Sequence, residues 1–205
     1  MKTEIVKIDS EHIEEDRIRR AGDIIKEGGL VAFPTETVYG LGGDALDADS
    51  SRKIYAAKGR PSDNPLIVHI ADFADLEKIV TEVPKEAVQL ADAFWPGPLT
   101  MIVWKNDRVP YETTGGMDTV AIRMPKHPVA LRLIEGSGCL IAAPSANTSG
   151  KPSPTEASHV ALDMDGRIPM ILDGGPVGIG IESTIVDLSE ETPMILRPGY
   201  ITQEM

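Results

Sequence analysis

Short apolar runs of strand length alternate along this chain with segments whose apolar residues recur at helical spacing. This alternation limits the possible folds more than any other feature. Isoleucine and alanine recur at helical spacing over residues 13–25, and the glycines at 28 and 29 end that segment as a C-cap does. Residues 30–33 then form a continuous apolar run, which predicts a buried strand ending at Pro34. Strands interleaved with helices predict an α/β fold in which helices cover a sheet.

The same pattern continues to the end of the chain. Helices are predicted at residues 49–58, after Asp72, from Pro84 to about residue 95, at 127–135 and at 154–162. Strands are predicted at residues 6–8, 66–70, 99–104, 119–124, 140–143, 170–172, 184–188 and 194–196. The last three strands have little helix between them, so the sheet is expected to be mixed rather than purely parallel. No linker or repeat divides the 205 residues, so one domain is expected.

Composition excludes several classes of protein. Hydrophobic residues make up 41% and charged residues 25% of the chain, which excludes disordered and collagen-like chains. The formal net charge is −12, so a polyanionic ligand would have to meet a local basic pocket. Cys139 lies in an apolar run and is expected to be a buried thiol in a reducing compartment. The N-terminus does not resemble a signal peptide and no apolar stretch reaches bilayer length, so a cytoplasmic protein is expected.

Several common chemistries lack their sequence motifs. The chain contains no Gly-x-x-x-x-Gly-Lys-Ser/Thr phosphate loop and no complete Gly-x-Gly-x-x-Gly after a strand. One cysteine and four scattered histidines cannot supply a Cys-rich zinc site. The chemistry is therefore expected to be neither covalent nor zinc-based, and no metal held by protein ligands is expected.

Polar segments just past predicted strands mark the places where α/β proteins bind ligands. The first is residues 34–42, Pro-Thr-Glu-Thr-Val-Tyr-Gly-Leu-Gly, where hydroxyls at alternate positions could line one face of an extended segment. Its glycines let the backbone approach a ligand. An ordinary strand-end turn explains the same residues equally well.

The second segment is a compact basic spot on an acidic protein. Lys58 and Arg60 lie two residues apart and are followed by Pro-Ser-Asp-Asn-Pro at 61–65. A planar guanidinium fork and a point charge are the usual pair for triphosphate oxygens, although a solvated helix end favours the same cations. His69 in the following strand is a further candidate because it lies near this loop, although a lone strand histidine is more often structural.

Two more sets of residues complete the candidate site. Residues 143–154 follow an apolar strand with a run of hydroxyl and amide side chains that can bind phosphate and ribose. Arg123 interrupts an otherwise apolar strand, and a buried guanidinium must face a carboxylate of the protein or of a ligand. The polar segments Glu182-Ser-Thr184 and Arg197-Pro-Gly199 lie at the last two predicted strands.

In order and spacing these segments resemble the motifs of the YrdC-like (Sua/YciO/YrdC) family of threonylcarbamoyl-AMP synthases. The matching motifs are Pro34-Thr-Glu-Thr-Val-Tyr-Gly-Leu-Gly, Lys58-Gly-Arg-Pro-x-x-Asn-Pro-Leu, Pro144-Ser-Ala-Asn-x-Ser-Gly, Ser183-Thr-Ile-Val-Asp and Arg197-Pro-Gly. The resemblance covers nearly the whole chain. It implies an α/β (α+β), YrdC-like (DHBP-synthase-like) fold, in which a single-domain twisted mixed β-sheet is surrounded by helices around a large, concave, positively charged cleft.

The resemblance also implies a reaction. ATP, L-threonine and bicarbonate (or CO2) would give L-threonylcarbamoyl-adenylate and pyrophosphate, with Mg2+ bound through the ATP phosphates. A tRNA-threonylcarbamoyl transferase machinery would then modify the adenosine next to the anticodon. Weak direct binding of tRNA or double-stranded RNA stays open.

The resemblance alone assigns roles to individual residues. Catalysis is assigned to Lys58 and Arg60. L-threonine would be bound by Thr37, His69, Arg123, the backbone of Ala143, and Ser183. ATP would be bound by Lys58, Arg60, Asn64, Thr119, Ser145, Ser153 and Arg197, and the expected neighbours in the cleft are Thr35, Tyr39 and Asn147.

The chain departs from the family pattern in two places. Glu36 replaces the commoner aspartate, and the chain stops at Met205, where longer members continue into a further domain whose linker reaches over the active site. We therefore expect residues 1–205 to form one YrdC-like domain without that extension. Two other functions stay open: an RNA-binding module that uses the same basic cleft, and a carbamoyl-phosphate-dependent domain that forms carbamoyl-AMP.

Overall fold

The computed structural model describes residues 2–205, within which ten strands alternate with seven helices. The strands are β1 (Glu4–Lys7), β2 (Val31–Pro34), β3 (Tyr39–Asp44), β4 (Ile67–His69), β5 (Leu99–Trp104), β6 (Thr119–Arg123), β7 (Ile141–Ala142), β8 (Met170–Asp173), β9 (Thr184–Asp187) and β10 (Met194–Arg197). The helices are α1 (Glu15–Lys26), α2 (Ala48–Lys58), α3 (Ala74–Glu77), α4 (Lys85–Phe94), α5 (Tyr111–Thr114), α6 (Pro128–Ser137) and α7 (Ala157–Met164). Among these residues, no helix has the length and apolar character needed to cross a membrane.

All ten strands join one sheet in the order β1-β8-β2-β3-β7-β4-β6-β5-β9-β10. Strand β8 runs parallel to both β1 and β2, β4 runs parallel to β6, and β5 runs parallel to β9. The remaining neighbours are antiparallel. The sheet is therefore mixed, which confirms the fold class predicted from the sequence.

Helices pack on both faces of the sheet because alternate residues of its strands point to opposite sides. In the segment that contains β2, Leu30 and Ala32 join one buried cluster, whereas Val31 and Phe33 join the other. The second cluster contains the apolar faces of α1 and α6. The first contains residues of α2, α4 and α7.

One part of the sheet is covered on a single face only. Among residues 2–205, the buried cluster under α1 and α6 takes no residue from β5, β6 or β9. These strands bury Met101, Val120 and Val186 in the other cluster. Ile102 and Ala121 have the opposite parity and are only partly buried. The sheet is therefore wider than the two helices that cover this face, and the uncovered part forms the floor of a cavity.

Strand β3 and helix α5 were not predicted from the sequence. For residues 34–42 the sequence left open an extended segment and a strand-end turn, and the structure shows a turn in the first part, followed by Tyr39–Asp44, which pairs with β2 as a strand. Glycine is depleted in strands, so the glycines of β3 made this segment look unlike a strand in the sequence. Gly42 is needed for close packing, because a Cβ there would lie 2.7 Å from both Phe33 Cε1 and Ile141 Cγ2. A smaller difference is that α7 begins at Ala157 rather than at Pro154.

Candidate functional site

A cavity of about 360 Å³ lies over the uncovered face of the sheet. Side chains of Ile102, Ala121 and Ile185 contribute to its lining from β5, β6 and β9. Ten of the fifteen predicted site residues line the same cavity: Thr35, Thr37, Arg60, Asn64, His69, Arg123, Ala143, Ser145, Ser183 and Arg197. The other five, described below, lie outside this lining.

The turn between β2 and β3 presents two threonines to the cavity. The Thr35 hydroxyl accepts hydrogen bonds from the backbone amides of Thr37 and Val38 and donates to the Val38 carbonyl at 2.7 Å. The Thr35 and Thr37 hydroxyl oxygens lie 2.9 Å apart. Thr37 Oγ1 also accepts from Arg123 Nη1 at 2.9 Å. Thr35 therefore shapes the turn, and the turn holds Thr37 against Arg123.

Arg123 is paired with a carboxylate of the protein itself. Its Nη2 donates to Glu36 Oε1 at 2.6 Å, while Glu36 Oε2 accepts from the backbone amide of Lys126. Arg123 Nε donates to the Gly97 carbonyl at 3.3 Å. Burial lowers the pKa of Arg123, and the charge of Glu36 opposes that shift. The sequence left open whether a carboxylate of the protein or of a ligand faces this buried guanidinium, and the structure shows that Glu36 of the protein does.

His69 lies beside Arg123 because β4 and β6 are parallel neighbours in which these two residues are aligned. Its Nδ1 lies 3.1 Å from the Ile67 carbonyl, which can only accept, so Nδ1 carries the proton. Burial and the charge of Arg123 lower the pKa of His69 to about 3. His69 is therefore a neutral side chain of the cavity wall at physiological pH.

Lys58 lies behind the cavity wall rather than in its lining. Lys58 is 1% exposed, and its ammonium group donates to the backbone carbonyls of Ser145 and Asn147. The Ser149 amide in turn donates to the Lys58 carbonyl at 2.9 Å. Burial, followed by the charge of Arg60, lowers the pKa of Lys58 to about 8. Through these hydrogen bonds Lys58 therefore connects the end of α2 to the loop after β7.

Arg60 enters the cavity from the turn that follows α2. Helix α2 ends at Lys58 and is capped by Gly59, whose positive φ of 62° is the left-handed conformation that glycine adopts most easily. Arg60 Nε then donates to the Asn64 carbonyl at 3.2 Å and Nη2 to the Pro65 carbonyl at 3.0 Å. These bonds fold residues 60–65 into a compact basic turn at the edge of the cavity.

Arg197 and Ser183 form a second group in the lining. Arg197 donates twice to the Ser183 carbonyl, and its Nη2 lies 3.2 Å from Ser183 Oγ. The Ser183 hydroxyl lies 2.7 Å from Thr100 Oγ1. Arg197 Nη1 also pairs with Glu182 Oε2 at 2.6 Å, and Ser153 Oγ donates to Glu182 Oε1 at 2.8 Å. Ser153 thus belongs to this group through Glu182, although it does not line the main cavity.

The three remaining predicted residues surround the site. Thr119 has the same parity on β6 as Ala121 and Arg123, so it shares their face of the sheet one step further from the cavity. The Tyr39 hydroxyl donates to the Gly175 carbonyl at 2.7 Å. The Asn147 side chain donates to the carbonyls of its own loop, at Thr148 and Lys151.

Sequence reasoning did not assign a role to two carboxylates of this site, Glu36 and Glu182. Both lie in polar segments that the sequence singled out, but their partners Arg123 and Arg197 lie 87 and 15 residues away in the sequence. The main cavity is lined by three arginines and one carboxylate, Glu182. Glu36 lies outside this lining but pairs with Arg123, so three arginines face two carboxylates and the site keeps a local positive charge on a chain of net charge −12, as expected for a pocket that accepts an anion.

Comparison with known proteins identifies the family of this chain. The family model Sua5/YciO/YrdC, described as telomere recombination, matches residues 23–199. The threonylcarbamoyl-AMP synthase of Pyrococcus abyssi is 59% identical over 194 residues, which cover 95% of this chain and 57% of that protein. The threonylcarbamoyl-AMP synthase of Bacillus subtilis is 57% identical over 191 residues, which cover 93% of this chain and 55% of that protein. The chain thus spans a little more than half the length of these relatives.

A solved structure shows the same architecture. The crystal structure of Pyrococcus abyssi Sua5 complexed with L-threonine matches with a TM-score of 0.97 and 58% identity over 98% of this chain and 59% of that one. Because the family model matches residues 23–199, which is most of the chain, the chain belongs to the Sua5/YciO/YrdC family.

Proposed function

We propose that this protein is an L-threonylcarbamoyladenylate synthase, a nucleotidyltransferase that makes threonylcarbamoyl-AMP and pyrophosphate from ATP, L-threonine and bicarbonate. The observation that carries the proposal is one basic cavity lined by Arg60, Arg123, Ser145, Ser183 and Arg197. The name of the relatives, threonylcarbamoyl-AMP synthase, and the binding of L-threonine by a 58% identical structure support it.

L-threonine would bind at Thr37, His69, Arg123, the backbone of Ala143, and Ser183. A guanidinium has five N–H donors, and the bonds described above use three of those of Arg123. The other two are available to the substrate carboxylate, so Glu36 need not be displaced. The neutral imidazole of His69 adds no charge that would repel the amine.

ATP would bind at Arg60, Asn64, Thr119, Ser145, Ser153 and Arg197, while Lys58 fixes the carbonyls of the 145–147 loop from behind. The planar guanidinium group of arginine suits phosphate oxygens because it donates two parallel hydrogen bonds. Within residues 2–205, no group of three His, Cys, Asp or Glu side chains is arranged to hold a metal ion. Mg2+ is therefore proposed to arrive as part of the substrate, bound through the ATP phosphates.

In the proposed reaction the neutral threonine amine adds to bicarbonate with loss of water and gives N-carboxythreonine. A carbamate oxygen then forms a bond to the α-phosphorus of ATP, while the bond to the bridging oxygen breaks and its electron pair leaves with pyrophosphate. The protein would act by positioning the reactants and by stabilising the charge that develops on the leaving group. Arg60 and Arg197 are the cavity cations assigned to that charge.

We further propose that residues 1–205 form a single YrdC-like domain. Its product would pass to a tRNA-threonylcarbamoyl transferase machinery that modifies tRNA next to the anticodon, and the proposed location of the activity is the cytoplasm. A cavity of about 360 Å³ suits small substrates rather than an RNA duplex. The net charge of −12 also disfavours broad RNA binding.

The proposal is tested by pyrophosphate release from ATP with threonine and bicarbonate, each omitted in turn. Release should require all three substrates, and carbamoyl phosphate should not replace bicarbonate and threonine. Arg60→Ala should lower kcat/KM by about 10² or more, because one charged contact to the transition state is worth about 2–4 kcal/mol. Arg52→Ala, at an exposed arginine paired with Asp49 and Glu112, is the control. Release that is indifferent to threonine would contradict the proposal.

A further inference from the structure

A second cavity adjoins the main one. It has a volume of about 550 Å³ and is formed by residues 152–153, 180–182 and 197–199. Two side chains, Glu182 and Arg197, line both cavities. The ion pair between them, with Arg197 Nη1 2.6 Å from Glu182 Oε2, therefore stands at the boundary between the two spaces.

Glu182 makes the contacts that a phosphate group would make. One carboxylate oxygen accepts from Arg197 and the other accepts from the Ser153 hydroxyl at 2.8 Å. Arg197 and Ser153 are both residues to which the proposed function assigns ATP. Burial lowers the pKa values of Lys58 and Arg60, and the charge of Glu182 partly opposes both shifts, so Glu182 interacts electrostatically with the other cations at the site.

The main cavity alone is small for the proposed substrates. Its volume of about 360 Å³ is near the lower end of the range of about 300–1,000 Å³ that is typical for one drug-sized ligand. The proposed reaction needs a nucleotide and an amino acid side by side. The second cavity offers the additional space if the ion pair between the two cavities opens.

We propose that Glu182 competes with the phosphates of ATP for Arg197 and Ser153, so that nucleotide binding opens the Glu182–Arg197 pair and joins the two cavities. The inference rests on the proposed function, because ATP is the ligand assigned to these residues. Both side chains are partly exposed, at 39% for Glu182 and 35% for Arg197, so the pair is screened by water and can be exchanged for a stronger anion. Glu182 would then be a positioning residue that sets nucleotide affinity.

The test is the affinity of the full chain for Mg2+-ATP, measured by isothermal titration calorimetry for the wild type and Glu182→Gln. The variant keeps the shape of the side chain but loses the competing charge. We expect its Kd for ATP to fall by about 5- to 10-fold. Glu15→Gln removes an equivalent charge from an exposed ion pair with Arg132 and should leave the Kd unchanged.

A double-mutant cycle with Arg197→Ala separates direct competition from a general charge effect. In the Arg197→Ala background, Glu182→Gln should improve ATP binding by less than about twofold. An undiminished gain in that background, or a Kd in the single Glu182→Gln variant equal to or above that of the wild type, would overturn the inference. Pyrophosphate release by the wild type is measured separately, because it tests the proposed function and not the competition. A chain that releases pyrophosphate but fails the binding test refutes the competition alone, and threonine-independent release refutes the proposed function alone.

Discussion

The ammonium group of Lys58 donates to the backbone carbonyl of Asn147 at 2.5 Å, which ties the last residue of helix α2 to the loop after strand β7. The amide of Ser149 donates back to the Lys58 carbonyl at 2.9 Å. Arg60 follows this helix and Ser145 lies in this loop, and both line the main cavity. The buried lysine therefore fixes the relative positions of two walls of the proposed nucleotide site.

Lys58→Met should lower both stability and activity. The substitution keeps most of the apolar stem but leaves the carbonyls of Ser145 and Asn147 without this donor, which costs about 1–3 kcal/mol in the free energy of unfolding. We expect kcat/KM for ATP to fall by about 10² or more. A displaced cavity wall would move the carbamate oxygen and the α-phosphorus of ATP out of their in-line arrangement. Urea denaturation and pyrophosphate release measure the two effects.

Lys53→Met is the matched control for this prediction. Lys53 lies on the same helix and donates to the Gly28 carbonyl at 2.5 Å, but it is exposed to water. Its loss should change the free energy of unfolding by less than about 0.5 kcal/mol and leave kcat/KM unchanged. If Lys58→Met changes the free energy of unfolding and kcat/KM as little as Lys53→Met does, the hydrogen bonds of Lys58 have no role in shaping the site.

Arg123→Met should be strongly destabilising because it leaves a partly buried carboxylate without its partner. Arg123 is 4% and Glu36 15% exposed, so water screens this pair poorly. Breaking a buried ion pair from one side costs about 3–5 kcal/mol. The double variant Arg123→Met/Glu36→Gln should recover part of that loss, because it removes the stranded charge.

The Arg123 prediction is measured as the free energy of unfolding in urea for both single variants and the double variant. Arg132→Met, which disrupts the exposed ion pairs with Glu15 and Glu135, should cost less than about 1 kcal/mol. Equal losses in Arg123→Met and in the double variant would show that the charge of Glu36 is not what destabilises the protein.

The sequence carried enough local information to predict most strands and helices, because burial on a sheet or helix leaves a period in the apolar residues. Strand β2 and strand β5 were found in this way. Strand β3 was not, because its glycines at 40, 42 and 43 are selected by close packing against neighbours that are distant in sequence. Local propensity does not contain that information.

Ion pairing in the site could not be predicted for a related reason. The need of Arg123 for a carboxylate followed from the sequence, but its choice of Glu36 depends on the order of strands β2, β3, β7, β4 and β6 in the sheet. The contact of Lys58 with the 145–147 loop depends on the same order. Motif spacing identified which segments meet, whereas the hydrogen-bond partners within them required the three-dimensional arrangement.

His69 predicts a specific loss of stability in acid. Burial lowers its folded-state pKa to about 3, whereas the unfolded chain binds a proton near the ordinary value of 6.5. Below pH 6.5 the unfolded state therefore binds more protons than the folded state, and stability falls as pH drops toward 3. His69→Asn should flatten this dependence by one proton between pH 6 and about 4. Thermal unfolding across that range measures the slope, and His12→Asn, at an exposed histidine, should retain the slope of the wild type.

Gly199→Ala should separate Arg197 from the site through a steric clash. A Cβ at this position would lie 2.6 Å from the Glu182 carbonyl oxygen and 2.6 Å from the Thr184 amide nitrogen, and neither backbone atom can move without shifting the start of β9. We expect a loss of about 1–3 kcal/mol in the free energy of unfolding and weaker ATP binding, because the Arg197 bonds to the Ser183 carbonyl stretch. Urea denaturation and calorimetry measure both effects.

Gly178→Ala is the control, because a Cβ there meets no atom within 4 Å among the described residues. Identical ATP affinity in the two variants would mean that the turn at 197–199 does not hold Arg197 in the position that nucleotide binding needs.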